Sequence, residues 1–273
     1  MTQDVSSLKL EKLRALIRQM PSAVVAYSGG VDSGLLLKVT HDELGQRCLG
    51  VLAVSPSLPE SERTLALAFA DEVGARVICV TTRETADPAY QANAPNRCLH
   101  CKDHVYAALL EQARLFREGA VVLDGMNAED TLDMRPGRAA ALRHGVRSPL
   151  NEAGFSKSEV RETARALGLS LWDKPAAACL ASRIPYGTKV TDELLLRVEN
   201  AEAFVRSLGF SALRVRHHGD VARVEVPLTE LDLATRRAEE LVGGLKSLGW
   251  LYVTLDLEGL RQGSMNAPLL TPS

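Results

Sequence analysis

Ser28-Gly29-Gly30-Val31-Asp32-Ser33 is a glycine-rich turn between two apolar segments. Residues 23–27 before it have the pattern of a buried strand, and residues 33–39 after it that of a helix. A glycine pair allows a sharp turn, so several N–H groups converge where the helix begins, and the helix dipole adds positive potential there. The pattern therefore predicts an anion-binding loop, with an ordinary glycine-rich turn as the alternative.

The polar side chains of this loop favour a nucleotide phosphate as the anion. Ser28 and Ser33 carry hydroxyl donors, and Asp32 is placed to cap the helix or to approach Mg²⁺. The chain lacks the G-x-x-x-x-G-K-[ST] pattern of a Walker A motif. S-G-G-x-D-S instead resembles the PP-loop of the ATP-pyrophosphatase families. That resemblance implies that ATP adenylates a substrate and that this loop holds the departing pyrophosphate.

Composition and charge limit the class of protein. A chain of 273 residues with 46% hydrophobic and 24% charged residues is typical of a globular protein with one large or two modest domains. The net charge of -2 argues against a general nucleic-acid surface. There is no apolar run of about 20 residues to span a membrane, and neither a signal peptide nor an even cysteine set is evident. We therefore expect a cytoplasmic protein without a nucleic-acid or membrane partner.

Strand and helix patterns alternate along most of the chain. Strands are predicted at residues 47–54, 76–81 and 120–124, and helices at 60–73 and 99–116. This alternation predicts an α/β fold, an open parallel sheet covered by helices on both faces. Proline and glycine predict loops at 82–97 and, with several arginines, at 131–150. Cys48 and Cys79 fall within strands and are predicted to be core residues.

The C-terminal part has a different pattern. Ser156-Lys157-Ser158-Glu159 is a capping box that predicts the start of one more helix. From Thr191 onward an α-β-β-α-β order follows, with elements predicted at residues 192–208, 213–217, 222–227, 230–248 and 252–257. We therefore divide the chain into a domain of residues 1–185, which carries the PP-loop resemblance to the ATP-pyrophosphatases, and a small α+β domain of residues 186–273.

A polar turn follows the strand at 120–124, at the edge where open parallel sheets bind their ligands. Gly125 is predicted to let a nucleotide approach the backbone, with Asn127 and Asp130 as further nucleotide-binding residues. Asp124, Glu129 or Asp130 offers a carboxylate for Mg²⁺. A solvated acidic turn is the alternative.

The second informative stretch surrounds Cys179. Small residues flank this cysteine and allow a large substrate close to the sulfur. Lys174 and Arg183 are near in sequence, and nearby cations favour the thiolate. A buried, inert cysteine is the alternative.

Several motifs together resemble the LarE family, the ATP-dependent sulfur transferases that mature the nickel-pincer nucleotide of lactate racemase. They are S-G-G-V-D-S at 28–33, D-G-x-N-A-E-D at 124–130 followed by R-P-G at 135–137, S-P-L at 148–150 before K-S-E-V-R at 157–161, and C-L-A-S-R-I-P-Y-G-T at 179–188. The resemblance covers nearly the whole chain, and the block that begins at Cys179 is its most specific part.

The resemblance implies a two-stage reaction and a homo-oligomer, either a trimer or a hexamer. ATP adenylates a carboxylate of pyridinium-3,5-biscarboxylic acid mononucleotide, and a sulfur nucleophile then displaces AMP to leave a thiocarboxylate. In the simplest members the sulfur comes from a cysteine at the position of Cys179, which becomes dehydroalanine. Arg214 and Arg216 match positions that bind the substrate phosphate, and Glu225 matches an acidic position of the same site.

Cys98-x-x-Cys101 departs from those simplest members. By itself the pair is compatible with redox activity, half of a zinc site, or chance. With Cys179 it resembles the three ligands of a [4Fe-4S] cluster whose open iron binds an external sulfide, which would spare Cys179. Zinc held by these cysteines and His104 is a further alternative.

Three other functions share parts of this pattern. An NAD synthetase-like amidotransferase uses ammonia and has no need of Cys179. A tRNA thiolase requires a more basic surface than a net charge of -2 supports. A nucleotide-binding sensor binds ATP without releasing pyrophosphate.

Overall fold

The protein is described by a computed structural model that covers residues 2–131, 136–261 and 265; Arg135 of the R-P-G motif lies outside the described residues. It forms two compact units, the first made of Met1–Asp87 and Asn96–Ala177 and the second of Pro88–Pro95 and Ala178–Ser273. The helices and strands are α1 (Thr2–Arg18), β1 (Ala23–Ala26), α2 (Val31–Leu44), β2 (Cys48–Val54), α3 (Glu60–Glu72), β3 (Val77–Thr81), α4 (Pro88–Gln91), α5 (Arg97–Phe116), β4 (Val121–Leu123), α6 (Pro136–Arg143), α7 (Pro149–Ala153), α8 (Lys157–Ala166), α9 (Asp192–Ser207), β5 (Arg214–His218), β6 (Val221–Glu225), α10 (Leu231–Arg236), α11 (Ala238–Ser247) and β7 (Tyr252–Leu255). Within these ranges, no helix combines the length and the apolar character needed to cross a membrane.

The first unit contains a four-stranded, fully parallel sheet in the order β3-β2-β1-β4. Val24 of β1 lies between Leu49 of β2 and Val122 of β4. This sheet confirms the predicted α/β class. The strand order changes direction at β1, because β2 and β3 lie on one side and β4 on the other. A ligand crevice is therefore expected beyond the carboxyl ends of β1 and β4.

Helices cover both faces of this sheet. On one face Val25 packs in a core with Leu13 of α1 and Leu36 of α2. On the other face Val24 packs with Tyr106 and Leu109 of α5. Consecutive residues of β1 thus bury their side chains on opposite faces, which explains why the strand is apolar throughout.

Three predicted segments differ from the structure. The segment 82–97 contains the short helix α4, and the segment 131–150 contains α6 and the start of α7. Proline begins both α6 and α7, where its missing N–H removes no helical hydrogen bond, so proline was the wrong signal for a loop there. The single helix predicted at 230–248 is divided into α10 and α11.

The two strand cysteines have different surroundings. Cys48 is buried, as predicted, and burial raises the pKa of its thiol to about 12. Cys79 is exposed, so its prediction as a core residue was wrong. The reason is that Cys79 lies on β3, an edge strand of the sheet.

The second unit contains a three-stranded sheet in the order β5-β6-β7. β5 is antiparallel to β6, and β6 is parallel to β7. α9 and α11 meet where Gly244 faces the ring of Phe204; a Cβ on Gly244 would lie 2.1 Å from Phe204 Cζ. This arrangement confirms the predicted small α+β region.

The segment 88–95 belongs to the second unit, where the side chain of Asn93 forms hydrogen bonds with residues 184–188. Asn93 is fully buried and has a φ of +53°. Its amide donates to the carbonyl oxygens of Ile184, Pro185 and Thr188. Asn tolerates this left-handed conformation better than most residues do. The domain boundary placed at residue 185 stays a prediction.

Candidate active site

The glycine-rich loop of residues 28–33 connects β1 to α2 in the first unit. Gly29 has a φ of +74°, and a Cβ there would lie 2.7 Å from Ala66 Cβ of α3. Only glycine therefore lets the loop lie against α3 in this conformation. Gly30 precedes the first residue of α2 and caps it without a side-chain hydrogen bond.

The loop exposes backbone N–H groups, and the side chains of Ser28 and Ser33 stabilise its conformation. The N–H groups at the start of a helix have no acceptor within the helix, and none of the described residues accepts from the amides of Gly30, Val31 or Asp32. Ser33 Oγ accepts from Ser28 N at 3.1 Å and lies 3.0 Å from Ser28 Oγ. The loop therefore combines a fixed shape with unpaired donors, the properties of an anion site.

The loop opens onto a cavity whose empty volume is about 900 Å³, which includes open solvent. It brings together seven of the predicted nucleotide-binding residues, namely Ser28, Gly30, Asp32, Ser33, Gly125, Asn127 and Asp130. Lys102 of α5 and Lys157 of α8 also line it and add positive charge. Two predicted residues, Gly29 and Val31, do not line the cavity; Val31 is buried in the core instead.

The turn after β4 packs against the start of α2 and is hydrogen-bonded to it. Asn127 Nδ2 donates to Asp32 Oδ1 at 2.8 Å, and Asn127 Oδ1 accepts from the amides of Glu129 and Asp130. A Cβ on Gly125 would lie 2.8 Å from Ser33 N. Glycine at this position thus lets two backbone segments approach each other, whereas the sequence analysis predicted that it lets a nucleotide approach the backbone.

The three acidic side chains of this turn have different surroundings. Asp124 accepts hydrogen bonds from Tyr106 at 2.9 Å, from Ser148 at 2.7 Å and from the Met126 amide at 3.2 Å. Burial, followed by the charge of Asp124, raises the pKa of Tyr106, which keeps its hydroxyl a donor. Glu129 accepts from the amide of Lys157 at 3.0 Å. Asp32, Asp124 and Asp130 all line the cavity, but both carboxylate oxygens of Asp124 already accept hydrogen bonds from the donors named above.

Lys174 contacts the glycine-rich loop of residues 28–33, and the sequence did not indicate this contact. Its Nζ donates to the carbonyl oxygen of Gly29 at 2.9 Å and lies 2.9 Å from Glu62 Oε2. The prediction placed this lysine beside Cys179 because the two are close in sequence. No sequence pattern signals a contact between residues 145 positions apart.

Cys179 is half-buried in the second unit and precedes a 3-10 turn at Leu180–Arg183. The Arg183 guanidinium donates to the carbonyl oxygens of Ala178 at 2.6 Å and Cys179 at 3.0 Å. It also forms a buried pair with both carboxylate oxygens of Glu202, at 2.9 and 3.0 Å. Arg183 therefore fixes the backbone that carries the sulfur, and Glu202 balances its charge.

Arg214, Arg216 and Glu225 lie on one face of the β5-β6 pair, where Arg214 is opposite Glu225. Glu225 is fully buried and accepts from Arg216 at 2.8 Å and from Arg223 at 2.9 Å. Arg214 donates only to the Leu213 carbonyl among the described residues. Burial, and then the neighbouring Arg183, lowers the pKa of Arg214. A guanidinium whose N–H groups make no hydrogen bond to a carboxylate among the described residues is suited to bind an anion.

This arginine face adjoins the cysteine segment within the second unit. Arg216 Nη1 donates to the Ser182 carbonyl at 3.1 Å, and Ser182 N donates to the Cys179 carbonyl at 2.9 Å. The backbone of the candidate sulfur donor and one candidate phosphate ligand, Arg216, thus share one hydrogen-bonded network.

Cys98 and Cys101 lie in the first turns of α5 in the first unit, three residues apart and therefore on one side of the helix. Cys98 is exposed, and Cys101 is half-buried. His104 Nε2 lies 3.0 Å from Asp87 Oδ2. Across the described ranges, no three His, Cys, Asp or Glu side chains are grouped to hold a metal ion. The [4Fe-4S] cluster and the zinc site both stay predictions.

Known proteins resemble this chain over almost its full length, although no family model matches it. It is 44% identical over 263 residues to the uncharacterised protein slr1717 of Synechocystis, covering 96% of this chain and 98% of that protein. It is 39% identical over 262 residues to the pyridinium-3,5-bisthiocarboxylic acid mononucleotide synthase of Lactiplantibacillus plantarum, covering 96% of this chain and 95% of that protein. The uncharacterised protein MJ0830 of Methanocaldococcus jannaschii is 26% identical over 253 residues, which are 92% of this chain and 96% of that protein.

The fold and the loop define a class. A fully parallel sheet flanked by helices, with a glycine-rich turn after its first strand, is that of an α/β protein. Similarity to the Lactiplantibacillus synthase then gives the family. The chain belongs to the LarE family.

Proposed function

We propose that this protein is an ATP-dependent sulfur transferase that converts a carboxylate of pyridinium-3,5-biscarboxylic acid mononucleotide into a thiocarboxylate. The observation that carries the proposal is the 39% identity, over 96% of the chain, to a synthase named for the bisthiocarboxylic product. The Cys179 network and the anion-binding loop supply the two chemical parts that such a reaction needs.

The first stage is adenylation. A substrate carboxylate oxygen attacks the α-phosphorus of ATP, a P–O bond forms to give the acyl adenylate, and the bond to pyrophosphate breaks. The amides at the start of α2, together with Lys102 and Lys157, stabilise the leaving pyrophosphate. Asp32 and Asp130 fit Mg²⁺ because their carboxylates line the same cavity, and Mg²⁺ would neutralise phosphate charge there.

The second stage is sulfur transfer. A thiolate attacks the acyl carbon and AMP leaves with the electron pair of the broken C–O bond. When Cys179 is the donor, loss of its α-proton and cleavage of its Cβ–Sγ bond release the thiocarboxylate and leave dehydroalanine. Arg214 holds the substrate phosphate, with Arg216 and Glu225 keeping this face in place. An external sulfide bound by a cluster on Cys98, Cys101 and Cys179 is the alternative source.

The assembly and the location are further parts of this proposal. A homo-oligomer, trimeric or hexameric, is what the LarE resemblance implies. Five cysteines without a disulfide among them are compatible with the reducing cytoplasm.

Pyrophosphate release tests this function. We expect release to require both ATP and the pyridinium mononucleotide. Cys179→Ser should still release pyrophosphate but form no thiocarboxylate, because adenylation precedes the use of sulfur. Cys79→Ser, a substitution of an exposed cysteine on an edge strand, is the matched control and should behave as the wild type. Release that requires ammonia or tRNA instead would support one of the competing functions.

A further inference from the structure

The ammonium of Lys174 contacts the phosphate loop, residues 28–33, without lining the cavity. It contacts the Gly29 carbonyl and Glu62, and neither Lys174 nor Glu62 lines the cavity. The Lys174 side chain is only 16% exposed, so this contact is partly shielded from solvent. The reaction proposed above does not use this group.

Peptide geometry links this contact to the opposite side of the loop. The Gly29 C=O and the Gly30 N–H belong to one trans peptide plane, so they point in opposite directions. A carbonyl held by Lys174 therefore directs the Gly30 N–H toward the cavity that Gly30 lines. Two consecutive glycines also permit this peptide to rotate at low steric cost. A contact from outside the loop is therefore needed to fix the orientation of the Gly29–Gly30 peptide.

Lys174 is itself held firmly within the first unit. Arg161 donates to the Lys174 carbonyl at 2.7 Å and to the Trp172 carbonyl at 3.0 Å. Leu171 packs over Gly34, where a Cβ would lie 2.4 Å from Leu171 Cδ2. Because Glu62 balances the ammonium charge, Lys174 acts here mainly as a hydrogen-bond donor.

We infer that Lys174 is a positioning residue, which fixes the Gly29–Gly30 peptide so that the loop amides face the pyrophosphate part of ATP. The inference rests on the proposed function, since it concerns the phosphate loop of that reaction. Ligands that place phosphates in the loop should therefore depend on Lys174. AMP, which lacks the β- and γ-phosphates, should depend on it much less.

The test is a comparison of pyrophosphate and AMP affinities by titration calorimetry. For Lys174→Met we expect pyrophosphate binding to weaken about tenfold, the equivalent of one hydrogen bond to a charged group. AMP binding should change less than about twofold. Lys174→Arg should restore most of the pyrophosphate affinity, and Glu62→Gln should not reduce it, because the donor remains. Lys38→Met, which removes a lysine paired with Asp42 on α2, controls for the loss of one charge.

Other results would overturn the inference. Equal weakening of both ligands in Lys174→Met, or the same loss in Glu62→Gln, would mean that the ion pair is only structural. If Lys174→Met does not fold, Lys174→Gln is compared in the same way. An NMR shift of the Gly30 amide that is the same in the variant as in the wild type would also reject the inference. A wild-type protein that binds no pyrophosphate would overturn the proposed function as well.

Discussion

Gly125→Ala is the substitution whose effect follows most directly from the geometry. A Cβ at residue 125 would lie 2.8 Å from Ser33 N, 3.0 Å from Ser33 Cα and 3.1 Å from the carbonyl carbon of Asp32. All three are backbone atoms, so no side-chain rotation relieves the contact, and either the end of β4 or the start of α2 must move. Overpacking of this kind costs about 1–3 kcal/mol. The same displacement moves the loop amides, so we also expect weaker ATP binding.

Urea unfolding and calorimetric titration with ATP measure these two effects. Gly243→Ala is the control, because a Cβ there meets nothing within 4 Å and the residue lies inside α11. That control should be stabilised by about 0.5–1 kcal/mol, since alanine favours a helix over glycine. A Gly125→Ala variant as stable as the wild type, with unchanged ATP affinity, would refute the reasoning.

Three further predictions concern the second unit. Glu202→Gln leaves the buried Arg183 guanidinium without its carboxylate and should lower the free energy of unfolding by about 3 kcal/mol or more, as measured by urea unfolding. Arg214→Gln removes a half-buried cation that makes no hydrogen bond to a carboxylate among the described residues, so stability should fall by about 1 kcal/mol or less while the KM for the pyridinium substrate rises. His217 accepts a hydrogen bond from the indole N–H of Trp250 at 3.2 Å, and burial lowers the pKa of His217 from 6.5. The stability of the protein should therefore be full above pH 6.5 and decrease as the pH falls below that value, because the unfolded state then binds the proton more readily. Thermal unfolding at a series of pH values measures this effect.

Each of these predictions has its own contrary result. Unchanged stability in Glu202→Gln would mean that the buried pair is not needed, and an unchanged KM in Arg214→Gln would remove that residue from the substrate site. The pH dependence should be smaller in His217→Gln. Part of it should remain, because burial also lowers the pKa of His218. A pH profile identical to that of the wild type would contradict the assignment to His217.

The features that the sequence predicted well are local ones. The alternation of apolar strands and helices gave the parallel sheet, and the capping box at the start of α8 is present, with Glu159 N donating to Ser156 Oγ and Ser156 N donating to Glu159. Each of these signals lies within a few residues of its structural consequence. The convergence of the phosphate loop and the turn after β4 followed from the rule for open parallel sheets.

The features that the sequence did not predict depend on distant contacts. Lys174 reaches Gly29, Asn93 joins the segment 88–95 to the second unit, and Asp124 stabilises its own turn rather than offering a free carboxylate. Hydrophobic periodicity carries no information about which polar group meets another after folding. The contacts of the Glu225 carboxylate with Arg216 and Arg223 were likewise not predicted, and its place in the substrate site stays a prediction.

Sulfur transfer is tested by mass spectrometry of the nucleotide after anaerobic incubation of the protein with ATP and pyridinium-3,5-biscarboxylic acid mononucleotide. We expect a product in which sulfur replaces a carboxylate oxygen, together with equal amounts of AMP and pyrophosphate. The intact mass of the protein then identifies the source, since loss of hydrogen sulfide at Cys179 marks that residue as the donor. An unchanged nucleotide, with ATP consumed only when ammonia or tRNA is added, would contradict the proposed sulfur transfer.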